Sequence, residues 1–90
     1  MAILWRERAT RDLEAIFTYI AADNPPAAIG VVQRLRRVIS QLEEFPRRGR
    51  KGAFPGTLEL VIPGLAYIVV YRFSGDDIEV LAVPHAAQRR

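Results

Sequence analysis

Residues 57–83, TLELVIPGLAYIVVYRFSGDDIEVLAV, constrain the fold more than any other stretch of this chain. They hold its densest run of β-branched and aromatic side chains, the types that fit a pleated, half-buried surface. Two breaks divide the run into three strands. In Ile62-Pro63-Gly64-Leu65, Pro63 presets a negative φ and Gly64 supplies a positive one, as a type II turn requires. If that turn closes the hairpin directly, Leu60 faces Tyr67 and Leu58 faces Val69. The second break, Ser74-Gly75-Asp76-Asp77, sets Phe73 against Ile78, Arg72 against Glu79 and Tyr71 against Val80.

Strict alternation across a strand then sorts the side chains onto two faces. Leu58, Leu60, Ile62, Tyr67, Val69, Tyr71, Phe73, Ile78, Val80 and Ala82 make a charge-free face that has to be buried. The other face carries Thr57, Glu59, Val61, Ala66, Ile68, Val70, Arg72, Glu79, Leu81 and Val83. Its centre, Ile68, Val70, Leu81 and Val83, is too apolar for a solvated sheet surface and suggests an interface.

Ninety residues suffice for one domain, 1–90, with one modest core. Half of the residues are apolar and about a quarter charged, a globular composition rather than that of a disordered chain. No cysteine and a single histidine leave no disulfide or thiolate chemistry and no zinc constellation, and no metal or other cofactor is expected. The opening residues lack the apolar core of a signal peptide, and no stretch is long enough to span a bilayer, so a cytoplasmic chain without membrane contact is expected. The net charge is +3, but residues 34–52 hold seven cations against two acids, a local +5. Such a patch attracts phosphate or an acidic protein surface.

In chain order, residues 2–6 read as an opening strand whose partner is not legible. A helix follows from Thr10, with Thr10 as its cap and Leu13, Ile16, Phe17 and Ile20 in one apolar stripe. Pro25 bars helical backbone at Asn24 yet suits a first helical position, so Asn24 ends one helix and caps the next. The second helix, from about residue 25 to 44, carries Ala28, Val31, Leu35, Val38 and Leu42 along a packed seam. The two helices form an antiparallel hairpin laid on the charge-free face of the sheet, an α+β architecture. Phe45-Pro46 closes the second helix, the loop Arg47-Arg48-Gly49-Arg50-Lys51-Gly52 follows, and the chain ends in a short tail after Val83.

No nucleotide-binding, nucleophile-elbow or metal motif is present. Arg47, Arg48, Arg50 and Lys51 are candidates for contact with phosphate or an acidic protein. Arg72 and Glu79 read as a cross-strand ion pair. His85 reads first as a solvated tail histidine, and as the alternative it is placed to overhang the open sheet face as an acid or base. Arg34 and Arg37 read as solvated helix charges.

The order of elements and several short motifs resemble the RelE/ParE superfamily of toxins from type II toxin-antitoxin systems. The motifs are Trp5 and Ala9 through Asp12-Leu13, Ile16 and Tyr19-Ile20, Asn24-Pro25 with Ala27-Ala28, Phe45-Pro46 with Gly49-Arg50, Gly56-Thr57 with Glu59-Leu60, and the strand YIVVYR at 67–72. His85 and Arg89 resemble the family's ending. The resemblance implies one strand, a helix hairpin and a three-stranded antiparallel meander. It also implies a cognate antitoxin, commonly of the ribbon-helix-helix type, that covers the open face at Ile68, Val70, Arg72, Leu81 and Val83. Ribosome-dependent ribonucleases of the superfamily use basic residues with a Tyr, His or Glu on that face, and here only Arg72, His85 and Arg89 are weak catalytic candidates. An apolar centre does not stabilise a phosphorane, so the resemblance is to the ParE branch, whose members inhibit DNA gyrase by binding. In that reading Arg47, Arg48, Arg50 and Lys51 contact the target, and DNA is bound only through a ParD-like antitoxin. An mRNA endoribonuclease and an inactive toxin-derived interaction module are the alternatives.

Overall fold

A computed structural model of the chain describes residues 1–88. The elements run β1 (Ile3–Trp5), α1 (Glu7–Ala21), α2 (Pro25–Ser40), a 3-10 turn at Gln41–Glu43, β2 (Arg50–Lys51), β3 (Thr57–Val61), β4 (Ile68–Ser74), β5 (Asp77–Ala82) and a 3-10 turn at Ala86–Gln88. The strands form one mixed sheet in the order β1-β5-β4-β3-β2. The opening strand finds its partner in β5 and runs parallel to it, Ile3 beside Ile78 and Trp5 beside Val80. The expected meander is present, extended at one edge by β1 and at the other by the two-residue β2, which the sequence pattern did not mark.

The helix hairpin packs on the charge-free face. Ala9, Leu13 and Ile16 of α1 and Leu35 and Ile39 of α2 share one buried cluster with Leu60, Ile62, Val69, Tyr71, Ile78 and Val80. No helix among the described residues is long and apolar enough to cross a membrane.

Helix limits differ from the sequence expectation. The first helix starts at Glu7, because Arg6 is already extended backbone at the end of β1 and the chain turns straight into α1. Thr10 is not its cap, since its N–H bonds Arg6 O inside the first turn. The Asn24 cap forms as expected, its side-chain oxygen accepting from Ala27 N–H at 3.1 Å. The second helix tightens from α to 3-10 geometry after Ser40.

Two registers decide which residues share a face. Leu60 pairs with Val69 and Leu58 with Tyr71, two residues away from the register inferred from a directly closing turn. The type II turn does form, with Leu65 N–H bonding Ile62 O at 3.1 Å and Gly64 at φ 80°. It opens a longer connection because Ala66 and Tyr67 pair instead with residues 85–86, through Ala86 N–H to Ala66 O and the bridge between Tyr67 and His85. A slip of two residues leaves every side chain on its expected face.

The second hairpin has the expected register from Phe73 and Ile78 to Tyr71 and Val80, but Val70 lies opposite Ala82. Leu81 is therefore an extra residue on β5, a bulge that reverses the alternation beyond it. Val83, expected on the open face, joins the core cluster at 2% exposure. Its backbone N–H bonds Asp12 Oδ2 of α1 at 2.8 Å.

Candidate functional site

The basic loop is a built element. Tyr71, fully buried on β4, donates its hydroxyl hydrogen to Pro46 O at 2.9 Å and accepts the Gly49 N–H at 2.8 Å. Burial pushes its phenol above the ordinary value of 10.0, with the Gly49 hydrogen bond pulling the other way. Residue 49 is glycine for space, because a Cβ there would stand 2.7 Å from the Tyr71 hydroxyl and 2.9 Å from its ring.

Around this latch two of the four cations contact neighbouring side chains. Arg47 lies over the Phe73 ring at 4.9 Å from its centroid, within cation–π range. Arg48 Nη1 donates to Gln41 Oε1 at 3.1 Å. Arg50 and Lys51 form β2 opposite Glu59 and Leu58, with both side chains exposed. The four expected basic residues thus gather along one end and edge of the molecule. Arg34 is not merely solvated, since its guanidinium donates to Pro63 O and ties α2 to the turn before β4.

The open face is less bare than its sequence implies. The loop before β3 folds over it: Ala53 N–H bonds Glu59 Oε2 at 3.0 Å, and the Thr57 hydroxyl bonds Phe54 O at 2.6 Å. Ile68 and Val70 are buried by the chain itself, and Leu81 is half-buried in a groove with Phe54, Pro84 and Arg8. Of the five residues expected to meet an antitoxin, Arg72 and Leu81 remain accessible there and Val83 has turned to the other side.

Arg72 Nε donates to Glu79 Oε1 at 3.1 Å, the expected cross-strand pair. Glu79 also binds Arg6, which the sequence pattern did not place beside it because the pairing of β1 was not legible. Burial acts to raise the Glu79 carboxyl, but the Arg72 hydrogen bond, the charges of Arg6 and Arg72, and Ser74 together hold it below the usual carboxylate range.

His85 does not overhang the open face. Beyond the bulge it stands on the helix side, edge-on to Tyr67 with ring centroids 5.5 Å apart, in a groove shared with Ile16 and Tyr19 of α1. Its Nδ1 accepts the Ala87 N–H at 3.1 Å. Tyr67, the neighbour of His85, is five residues from Arg72 along β4, about 16 Å of strand. Arg72 and His85 are therefore not brought together. Arg89 lies outside the described residues. No group of three or more metal-ligating His, Cys, Asp or Glu occurs among the described residues.

Residues 3–90 match the family model of the ParE toxin of the type II toxin-antitoxin system parDE. The chain is 44% identical to the Y4kP protein of Sinorhizobium fredii, covering 97% of this chain and 90% of that one. It is 31% identical to toxin RelE2 of Caulobacter vibrioides, covering 96% of both. A solved chromosomal ParDE toxin-antitoxin system from P. aeruginosa superposes with a TM-score of 0.88 over 94% of this chain and 95% of that one, and at 24% identity this likeness concerns the fold. The chain belongs to the ParE toxin family of type II toxin-antitoxin systems.

Proposed function

We propose that this toxin inhibits DNA gyrase by binding it, and that a ParD-like antitoxin neutralises it by covering the open face of the sheet. The observation that carries the reading is the dispersal of the groups RNA cleavage would need. A ribonuclease has to converge charge stabilisation and proton transfer on one phosphate. Here Arg72 is engaged with Glu79 on the open face, and His85 stands on the helix side. The basic edge from Arg47 to Lys51 is exposed and held in place, which suits recognition of a partner.

On the open face Arg72, Leu81 and the exposed Phe54 offer an antitoxin one charge and an apolar surface. Operator DNA is bound through the antitoxin, since no helix among the described residues has the features of a base-reading element.

A supercoiling assay with purified gyrase tests this reading, first with toxin alone and then with the protein encoded beside it. Inhibition that the neighbour relieves is the expected result. No inhibition would overturn the reading and direct the search to RNA cleavage on translating ribosomes.

A further inference from the structure

Phe45 ends a seam whose preceding members are buried. Leu35, Ile39 and Leu42 are at most 1% exposed, yet Phe45 is 58% exposed. Its backbone holds it there. The Phe45 N–H bonds Gln41 O at 2.9 Å, its carbonyl accepts from Arg48 N–H at 3.3 Å, and the next carbonyl, Pro46 O, is the acceptor of the Tyr71 hydroxyl. A buried tyrosine thus fixes a turn that presents an aromatic ring outward. Phe45, Pro46, Arg47, Arg48, Gln41 and Glu44 line one open groove.

We infer that this groove is the surface by which the toxin engages its cellular target, and that the matching surface is a protein's apolar pocket rimmed by carboxylates. The inference rests on the reading of the chain as a toxin that acts by binding. An exposed aromatic flanked by arginines is the composition in which interface energy concentrates. Both arginines already have an intramolecular contact, Arg47 on Phe73 and Arg48 on Gln41, which lowers the side-chain freedom left to lose on binding. The +5 charge of residues 34–52 favours an acidic partner. Glu44 in the groove, with Glu43 before it, opposes a continuous phosphate backbone, whereas separate carboxylates on a protein can be placed to avoid it.

The experiment compares growth arrest on expression without antitoxin, half-inhibition of gyrase, and affinity of the purified toxin for its antitoxin. Phe45→Ala and Arg48→Glu are each expected to weaken arrest and to raise the half-inhibitory concentration about tenfold or more. Antitoxin affinity reports the fold and is expected to stay within about twofold for both. Phe45→Leu, which keeps an apolar anchor, is expected to retain most of the toxicity. Undiminished arrest by Phe45→Ala overturns the inference. So does loss of antitoxin binding with arrest retained, which would assign the groove to the antitoxin. Duplex DNA binding by the lone toxin that Arg48→Glu abolishes would assign it to nucleic acid and also overturn it. If the unsubstituted toxin arrests growth without affecting gyrase, the gyrase reading fails and the growth comparison alone decides the groove. No arrest by the unsubstituted toxin overturns both.

Discussion

At the scale of single residues, Tyr71 shows how one buried hydroxyl organises a basic edge. Its ring belongs to the core, and its oxygen serves a donor and an acceptor three residues apart in the loop after α2. Tyr71→Phe would keep the ring and leave the Gly49 N–H and Pro46 carbonyl to find partners elsewhere in a part-buried site. Losing such bonds costs about 1–3 kcal/mol in all. The expected outcome is a lower urea midpoint with little change in slope, because the surface exposed on unfolding stays the same. An unchanged midpoint would mean that water replaces the hydroxyl without loss. The burial of Tyr71 was legible, since it sits on a face with no charge. Its partners were not, because a hydroxyl reaching a turn more than twenty residues earlier leaves no local pattern.

At the scale of elements, strand alternation carried the reading until the bulge. Residues 80–83 are all apolar, so neither parity conflicts with burial, and an added residue there is silent in the sequence. Alternation alone therefore puts Val83 and His85 on the wrong face, and Arg72 and Glu79, before the bulge, on the right one. The parallel pairing of β1 with β5 is likewise invisible in the sequence, yet it gives Glu79 its second arginine and ties β4, β5 and the start of α1 through one carboxylate. The lowered Glu79 pKa makes this tie dependent on pH. A carboxyl that ionises more readily in the folded state stabilises the fold above its unfolded value near 4.5, and that contribution is lost as pH falls through the lower folded value. Glu79→Gln is therefore expected to be less stable than the parent at pH 7, with the difference shrinking below about pH 4. Parallel denaturation curves at pH 7 and pH 3 measure it. A constant difference would show that Glu79 contributes through packing rather than charge.

At the scale of the whole molecule, the sheet separates two sides that the sequence had placed together. Helix stripes, the charge-free face and the cap at Asn24 each agreed with one architecture, and such agreement across levels is why the fold was legible. A site assembled from two strands and a tail was less so, because it depends on one inserted residue. The consequence for activity can be measured. Arg72 faces the open side and His85 faces α1, on opposite sides of the sheet. Arg72→Ala and His85→Ala together are expected to leave growth arrest and gyrase inhibition within about threefold of the parent, since neither belongs to the basic edge. Stability enters as a control, because Arg72→Ala removes one of the two cations of Glu79, and the urea midpoint separates that loss from any loss of action. Abolished arrest in a variant that remains folded would mean that the two residues act in chemistry after all. Loss of RNA cleavage on translating ribosomes by the same variant would identify that chemistry as phosphodiester attack. Retained arrest, with arrest lost in Phe45→Ala beside it, would instead place the action of the toxin in the loop after α2, on the edge that Tyr71 holds in place.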